Sequence, residues 1–194
     1  MHRLITLAAT LTLAACASTG GVDTGIDRAL FFNGLASNNP AIGRGLNTVA
    51  KRAGYNKAVS YGTPARGSAI ASDYVKRMRA LAAQGRLRPF KCFGHSYGAR
   101  ICTILAEEAG RLGVTVLYLG LIDGRGMRPI GPNVRRVVSV RPPNWRDSTV
   151  ANRVRFAPGF KGQFDELVVP GTGHVSVARD PDVVEEFVRE ARSF

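Results

Sequence analysis

Cysteine is scarce in this chain: three residues in 194 are too few for a disulfide framework. A domain of this size buries roughly 70% of its unfolded surface and needs no such staple. No apolar run approaches the roughly 20 residues that a membrane-spanning helix requires, which excludes an integral helical membrane protein. Acids are also few, with 14 Asp and Glu against 27 Lys and Arg for a formal net charge of +13. Histidine is rarer still: His2, His95 and His174 complete the inventory. Neither their spacing nor that of the cysteines matches a metal site, so no metal and no cofactor is expected. Repeats and low-complexity tracts are missing. What remains is 45% hydrophobic and 21% charged, the make-up of one globular domain.

The first residues read as a leader. Met-His-Arg is followed by a mostly apolar stretch over 4–13 and then by Ala14, Ala15 and Cys16, the pattern of an export signal covering residues 1–15. Leu13-Ala14-Ala15-Cys16 resembles the bacterial lipobox. That resemblance implies lipidation of Cys16, which becomes the new N-terminus and anchors the protein to a membrane through a tether over residues 16–24. Ala17, where an aspartate would favour inner-membrane retention, points to the outer membrane, facing the periplasm of the bacterial cell envelope. Residues 25–194 then form the domain. Its basic excess crowds into Arg52, Lys57, Arg66, Lys76, Arg77, Arg79, Arg86 and Arg88, which attracts anionic polymers and lipid head groups. No RNA-binding signature or basic recognition helix accompanies it, so nucleic acid is not an expected partner.

Short apolar runs alternate with helical patterns, the signature of an α/β fold with a mostly parallel central sheet flanked by helices. Strands are expected over residues 26–32, 58–61, 89–94, 114–122, 134–140 and 166–169. Helices are expected over 40–53, 68–84 and 96–112. A last helix starts at Asp180-Pro181-Asp182, where an N-cap, a first-turn proline and an early acid stand together. Residues 142–162 lack periodicity and read as an irregular insertion or flap.

Gly94-His95-Ser96-Tyr97-Gly98 sits between an apolar strand and an amphipathic helix. A glycine-flanked serine on a tight strand-to-helix turn is a nucleophile elbow, in which the hydroxyl projects above the sheet edge. A serine hydroxyl is a weak nucleophile and needs a histidine base oriented by an acid. His2 leaves with the leader, and His95 is too close to the serine to turn back on it. His174 is left as the base, in the glycine-rich loop Pro170-Gly171-Thr172-Gly173-His174. For the acid, Asp123 ends an apolar strand, where ligand-facing groups of such sheets lie. Asp147, behind two prolines after the next strand, is the alternative. An oxyanion hole needs two amides, expected from Tyr97 and from Leu35 in the turn Phe32-Asn33-Gly34-Leu35. Cys92 and Cys102, on the strand entering the elbow and the helix leaving it, are expected as buried thiols, with a disulfide between them in an oxidising compartment as the alternative.

At these residues the chain resembles the α/β-hydrolase superfamily, and within it the small lidless serine esterases, lipases and thioesterases. Leu119-Gly120-Leu121-Ile122-Asp123, the strand beginning Asn133-Val134-Arg135, and His174-Val175-Ser176 are similar to that group's acid, return-strand and base segments. The first strands usual in that group are missing, the oxyanion turn lacks its His-Gly pair, and residues 123–134 are too short for a lid. The resemblance implies hydrolysis of a small acyl ester by a protein expected to be a monomer. The rival reading is a non-catalytic envelope lipoprotein that holds anionic polymer on its basic surface.

Overall fold

Five parallel strands lie side by side in chain order: β1 (Ala29–Phe32), β2 (Phe90–His95), β3 (Val116–Ile122), β4 (Arg136–Arg141) and β5 (Gln163–Val168). Among the described residues four α-helices flank them: α1 (Pro40–Arg52), α2 (Pro64–Ala83), α3 (Tyr97–Arg111) and α4 (Pro181–Arg192). The computed structural model describes residues 26–143 and 153–193. The leader, the tether with Cys16, and Asp147 lie outside the described residues. No described helix is long and apolar enough to cross a membrane.

The period-2 alternation of side chains along the strands divides the core between the two faces. Leu30, Phe32, Cys92, Leu119, Leu121 and Val137 pack with α2 and α3, whereas Phe31, Phe93, Tyr118, Ile122, Val138 and Val140 pack with α1 and α4. Strand β2 is buried along its whole length and β3 nearly so, while β5 is mostly exposed at the sheet margin. Continuous apolar sequence in β3 is therefore the mark of a strand covered on both faces.

Three helices start alike. Asn39, Thr63 and Asp180 each stand just before a proline and accept backbone N–H bonds from the first turn. The proline fixes φ where no intrahelical donor is needed, and the cap satisfies the free amides. Helix α2 consequently begins at Pro64, four residues before the start expected from its apolar stripe. Across the α2–α3 contact, Arg79 reaches the buried Glu108 with Nε at 2.6 Å and Nη2 at 3.2 Å. This hydrogen-bonded guanidinium holds the Glu108 carboxyl below the usual carboxylate range.

Other expectations shift as well. The strand expected over 58–61 is reduced to a single parallel bridge between Phe32 and Val59. Strand β5 starts three residues earlier than its apolar residues suggested, because its first half, Gln163-Phe164-Asp165, is held by register with Arg136, Val137 and Val138 rather than by burial. Within the segment read as an insertion, Phe156 stacks on Phe160 and meets Phe164 edge-on.

The larger correction concerns the cysteines. Cys92 in β2 and Cys102 in α3 form a disulfide, with their Cα atoms 5.6 Å apart, within ordinary bridging range. Strand and helix come this close because the chain reverses directly at the elbow and glycine lets the helix settle onto the sheet. A β-carbon on Gly98 would stand 2.0 Å from the Phe32 carbonyl oxygen.

Candidate active site

Strands β2 and β3 are neighbours, and each ends in a polar residue of the expected site. The Ser96 N–H donates to the Ile122 carbonyl at 2.8 Å, and the Asp123 N–H to the Val140 carbonyl at 2.7 Å. The ladder thus runs one residue past each strand and sets Ser96 and Asp123 side by side on the C-terminal edge. Both turn sharply there: Ser96 has φ 55° and ψ −120°, and Asp123 has φ 41°, conformations that side-chain-bearing residues avoid.

The glycines flanking Ser96 are needed for space. A β-carbon on Gly94 would meet the Ala99 nitrogen at 2.5 Å, so the helix can only fold back over a bare backbone. Ser96 occupies the N-cap position of α3 but, unlike Asn39, Thr63 and Asp180, makes no side-chain cap bond. Serine ordinarily caps helices well; here the backbone turn withholds the hydroxyl from that use.

The turn after β1 closes over the serine. A β-carbon on Gly34 would lie 2.8 Å from Ser96 Cβ and 3.3 Å from Ser96 Oγ. The turn is braced by Asn33 Nδ2 donating to Ser60 Oγ at 3.0 Å and by the Tyr61 N–H donating to Ser37 Oγ at 3.1 Å. Leu35 follows in this turn, half-buried. Tyr97 opens α3, where an amide has no acceptor within the helix.

His174 comes from the loop between β5 and α4. Thr172 Oγ1 donates to the Val169 carbonyl at 2.7 Å, and the Gly173 N–H donates to Ser176 Oγ at 2.8 Å, so hydroxyls on both sides shape the loop. Its imidazole Nδ1 lies 2.6 Å from Asp123 Oδ2, with the carboxylate side chain 7% exposed. A carboxylate accepts, so Nδ1 is the donor of this bond, which leaves Nε2 as the nitrogen free of Asp123. The structure therefore brings Asp123 and His174 together across 51 residues of sequence.

His95, set aside on sequence grounds, also belongs here. It is 1% exposed, its Nε2 lies 2.8 Å from the His174 carbonyl oxygen, and the two imidazole rings are 4.9 Å apart. Burial, then the neighbouring His174, lowers its pKa to about 4, so it is neutral near pH 7 and Nε2–H is the donor. One signal could have found it: a polar residue closing an otherwise buried strand must have a partner where that strand ends.

No protein-family model and no curated protein matches this sequence. Solved structures do resemble it. RedJ, with a PEG molecule bound in its active site, aligns over 84% of this chain and 90% of its own at TM-score 0.52 and 16% identity. The Vlm2 thioesterase domain bound with a dodecadepsipeptide aligns over 87% and 93% at 0.51 and 12%. The esterase domain of a Rhodothermus marinus protein aligns over 88% and 87% at 0.50 and 16%. At 12–16% identity the likeness shows the fold alone, an α/β-hydrolase-like one with a parallel sheet flanked by helices.

Proposed function

We propose that the protein is a serine hydrolase that cleaves a carboxylic ester or thioester through an acyl-enzyme on Ser96. The observation that carries this reading is the 2.6 Å His174–Asp123 bond on the strand next to a strained, non-capping serine. The thioesterase and esterase names of two of the structural neighbours support it.

In this reading Ser96 Oγ attacks the acyl carbon while His174 Nε2 takes its proton. Asp123 holds the ring in the Nδ1–H tautomer and balances the imidazolium charge. The N–H groups of Tyr97 and Leu35 stabilise the oxyanion. The intermediate collapses, and the leaving alkoxide or thiolate accepts the proton from His174. Water, deprotonated by the same nitrogen, then attacks the acyl-enzyme, releasing the carboxylic acid and restoring Ser96. A fluorophosphonate probe should label the wild type and not Ser96→Ala. Folded wild-type protein that takes no label would sink the reading in favour of a binding lipoprotein.

The address proposed with it is the bacterial outer membrane, through acylated Cys16. Cells fed a labelled fatty acid should yield labelled wild type and unlabelled Cys16→Ser; unlabelled wild type would mean the anchor does not exist.

A further inference from the structure

His95 is a buried titratable group for which the triad chemistry has no use, yet it touches the base. We infer that His95 is a positioning residue: its Nε2–H, bonded to the His174 main-chain carbonyl, fixes the base loop so that the His174 ring keeps its seat on Asp123 beside the elbow. The inference rests on the serine hydrolase reading and adds to it a residue outside the triad.

The loop is held at its ends, where the Val169 N–H donates to the Arg141 carbonyl at 2.9 Å and Val177 is buried, and the tie acts between them at His174. The Thr172 and Ser176 bonds are local; they give the loop its shape without fastening it to the sheet. Bonds at its side chain and at its main chain fasten His174 itself: Nδ1–H to Asp123, and His95 Nε2–H to the carbonyl oxygen. A side-chain bond alone leaves the backbone free to swing about it, and a main-chain bond alone leaves the ring free to rotate. Together they fix both ends of the residue, which is how a ring on a loop acquires the placement that proton transfer requires.

The two histidines are thereby held in opposite tautomers, His174 as Nδ1–H and His95 as Nε2–H, each set by an acceptor that cannot donate. The groups acting electrostatically on His95 are His174, Asp123 and Arg179. Desolvation and the neighbouring positive groups keep it uncharged, so when His174 takes the serine proton it meets a neutral ring at 4.9 Å rather than a second cation. A histidine at this place can donate to the loop without competing for Asp123 or for the proton in flight.

The test pairs His95→Phe, which keeps a planar ring and removes the donor, with His95→Gln, which restores an N–H at similar reach. Expected for His95→Phe is a kcat loss on the order of 10²-fold with KM nearly unchanged, and for His95→Gln recovery to within several-fold of wild type. On the unaltered protein, long-range proton–nitrogen correlation spectra near pH 7 should report His95 as the Nε2–H tautomer and His174 as Nδ1–H, a readout that needs no variant to fold. A folded His95→Phe with wild-type turnover, a His95→Gln as impaired as His95→Phe, or a His95 protonated on Nδ1 would each overturn the inference. Failure of the parent reading looks different: the wild type would take no fluorophosphonate label while the tautomer spectrum stayed as expected.

Discussion

The two ends of the sheet differ in which residues they place in the left-handed region of backbone space: both use glycine, as Gly126 and Gly171 show beside the site, but one also uses residues with side chains. At the end where helices finish, the chain uses glycine: Gly54 after α1, Gly85 after α2 and Gly113 after α3 have φ of 93°, 64° and 70°. A β-carbon on any of the three would meet nothing within 4 Å, so backbone conformation alone asks for glycine there. At the end where β1, β2 and β3 finish, Ala36, Ser96 and Asp123 take φ of 57°, 55° and 41° with side chains in place. Such conformations cost roughly 1–3 kcal/mol each. The relaxed end is built for termination, and there Lys91 adds its ammonium to the Glu190 carbonyl at 2.6 Å, where the α4 dipole is negative. At the strained end a side chain is kept in spite of strain, and two of the three carry the chemistry proposed for the site.

Breaking the strained end chemically should give the largest effect. Asp123→Asn keeps a residue that tolerates φ 41°, yet the amide can hold the wrong imidazole tautomer and cannot balance its charge. Turnover should fall by about 10³ to 10⁴-fold near neutral pH with the melting temperature little changed. Asp147→Asn should leave turnover near wild type, and the reverse pattern in steady-state kinetics would move the acid role to Asp147.

Acid should act next. The ordinary His pKa is 6.5, and in the folded protein that of His95 is lowered to about 4. As pH falls through this interval the unfolded chain binds a proton that the folded one refuses, so stability drops, by on the order of 3 kcal/mol in all, and levels off below pH 4. Urea melts across the range should show this slope in the wild type and a shallower one in His95→Gln. Equal slopes would mean that other groups govern acid sensitivity.

The smallest effect sharpens the comparison itself. Ser96→Gly should raise stability by about 1 kcal/mol through relief of the turn, whereas Gly113→Ala should lower stability by about 1 kcal/mol and leave turnover alone. If Ser96→Gly melts no later than wild type, the contrast between the two ends is one of geometry without energy.

Much of the architecture is written locally. The apolar run that becomes β3, the stripe of α4 behind Asp180-Pro181, and the elbow glycines around Ser96 all state their roles over short stretches, because period, capping and backbone crowding act between near neighbours. The start of α2 was hidden because its first turn carries a cap and a proline but little of the apolar stripe. The start of β5 was hidden because an edge strand is held by backbone bonds that any side chain permits.

What no local pattern could decide was distance across the fold. Cys92 and Cys102 pair only because the helix lies so close to the strand it follows. His174 meets Asp123 and His95 across 51 and 79 residues because parallel strand order delivers loops far apart in sequence to one edge. The sequence by itself determined the fold class and the kind of residues offered at that edge. The tertiary structure alone decided which of them touch, since a hydrogen bond depends on ångström-scale placement that emerges only when the whole sheet and its helices have packed.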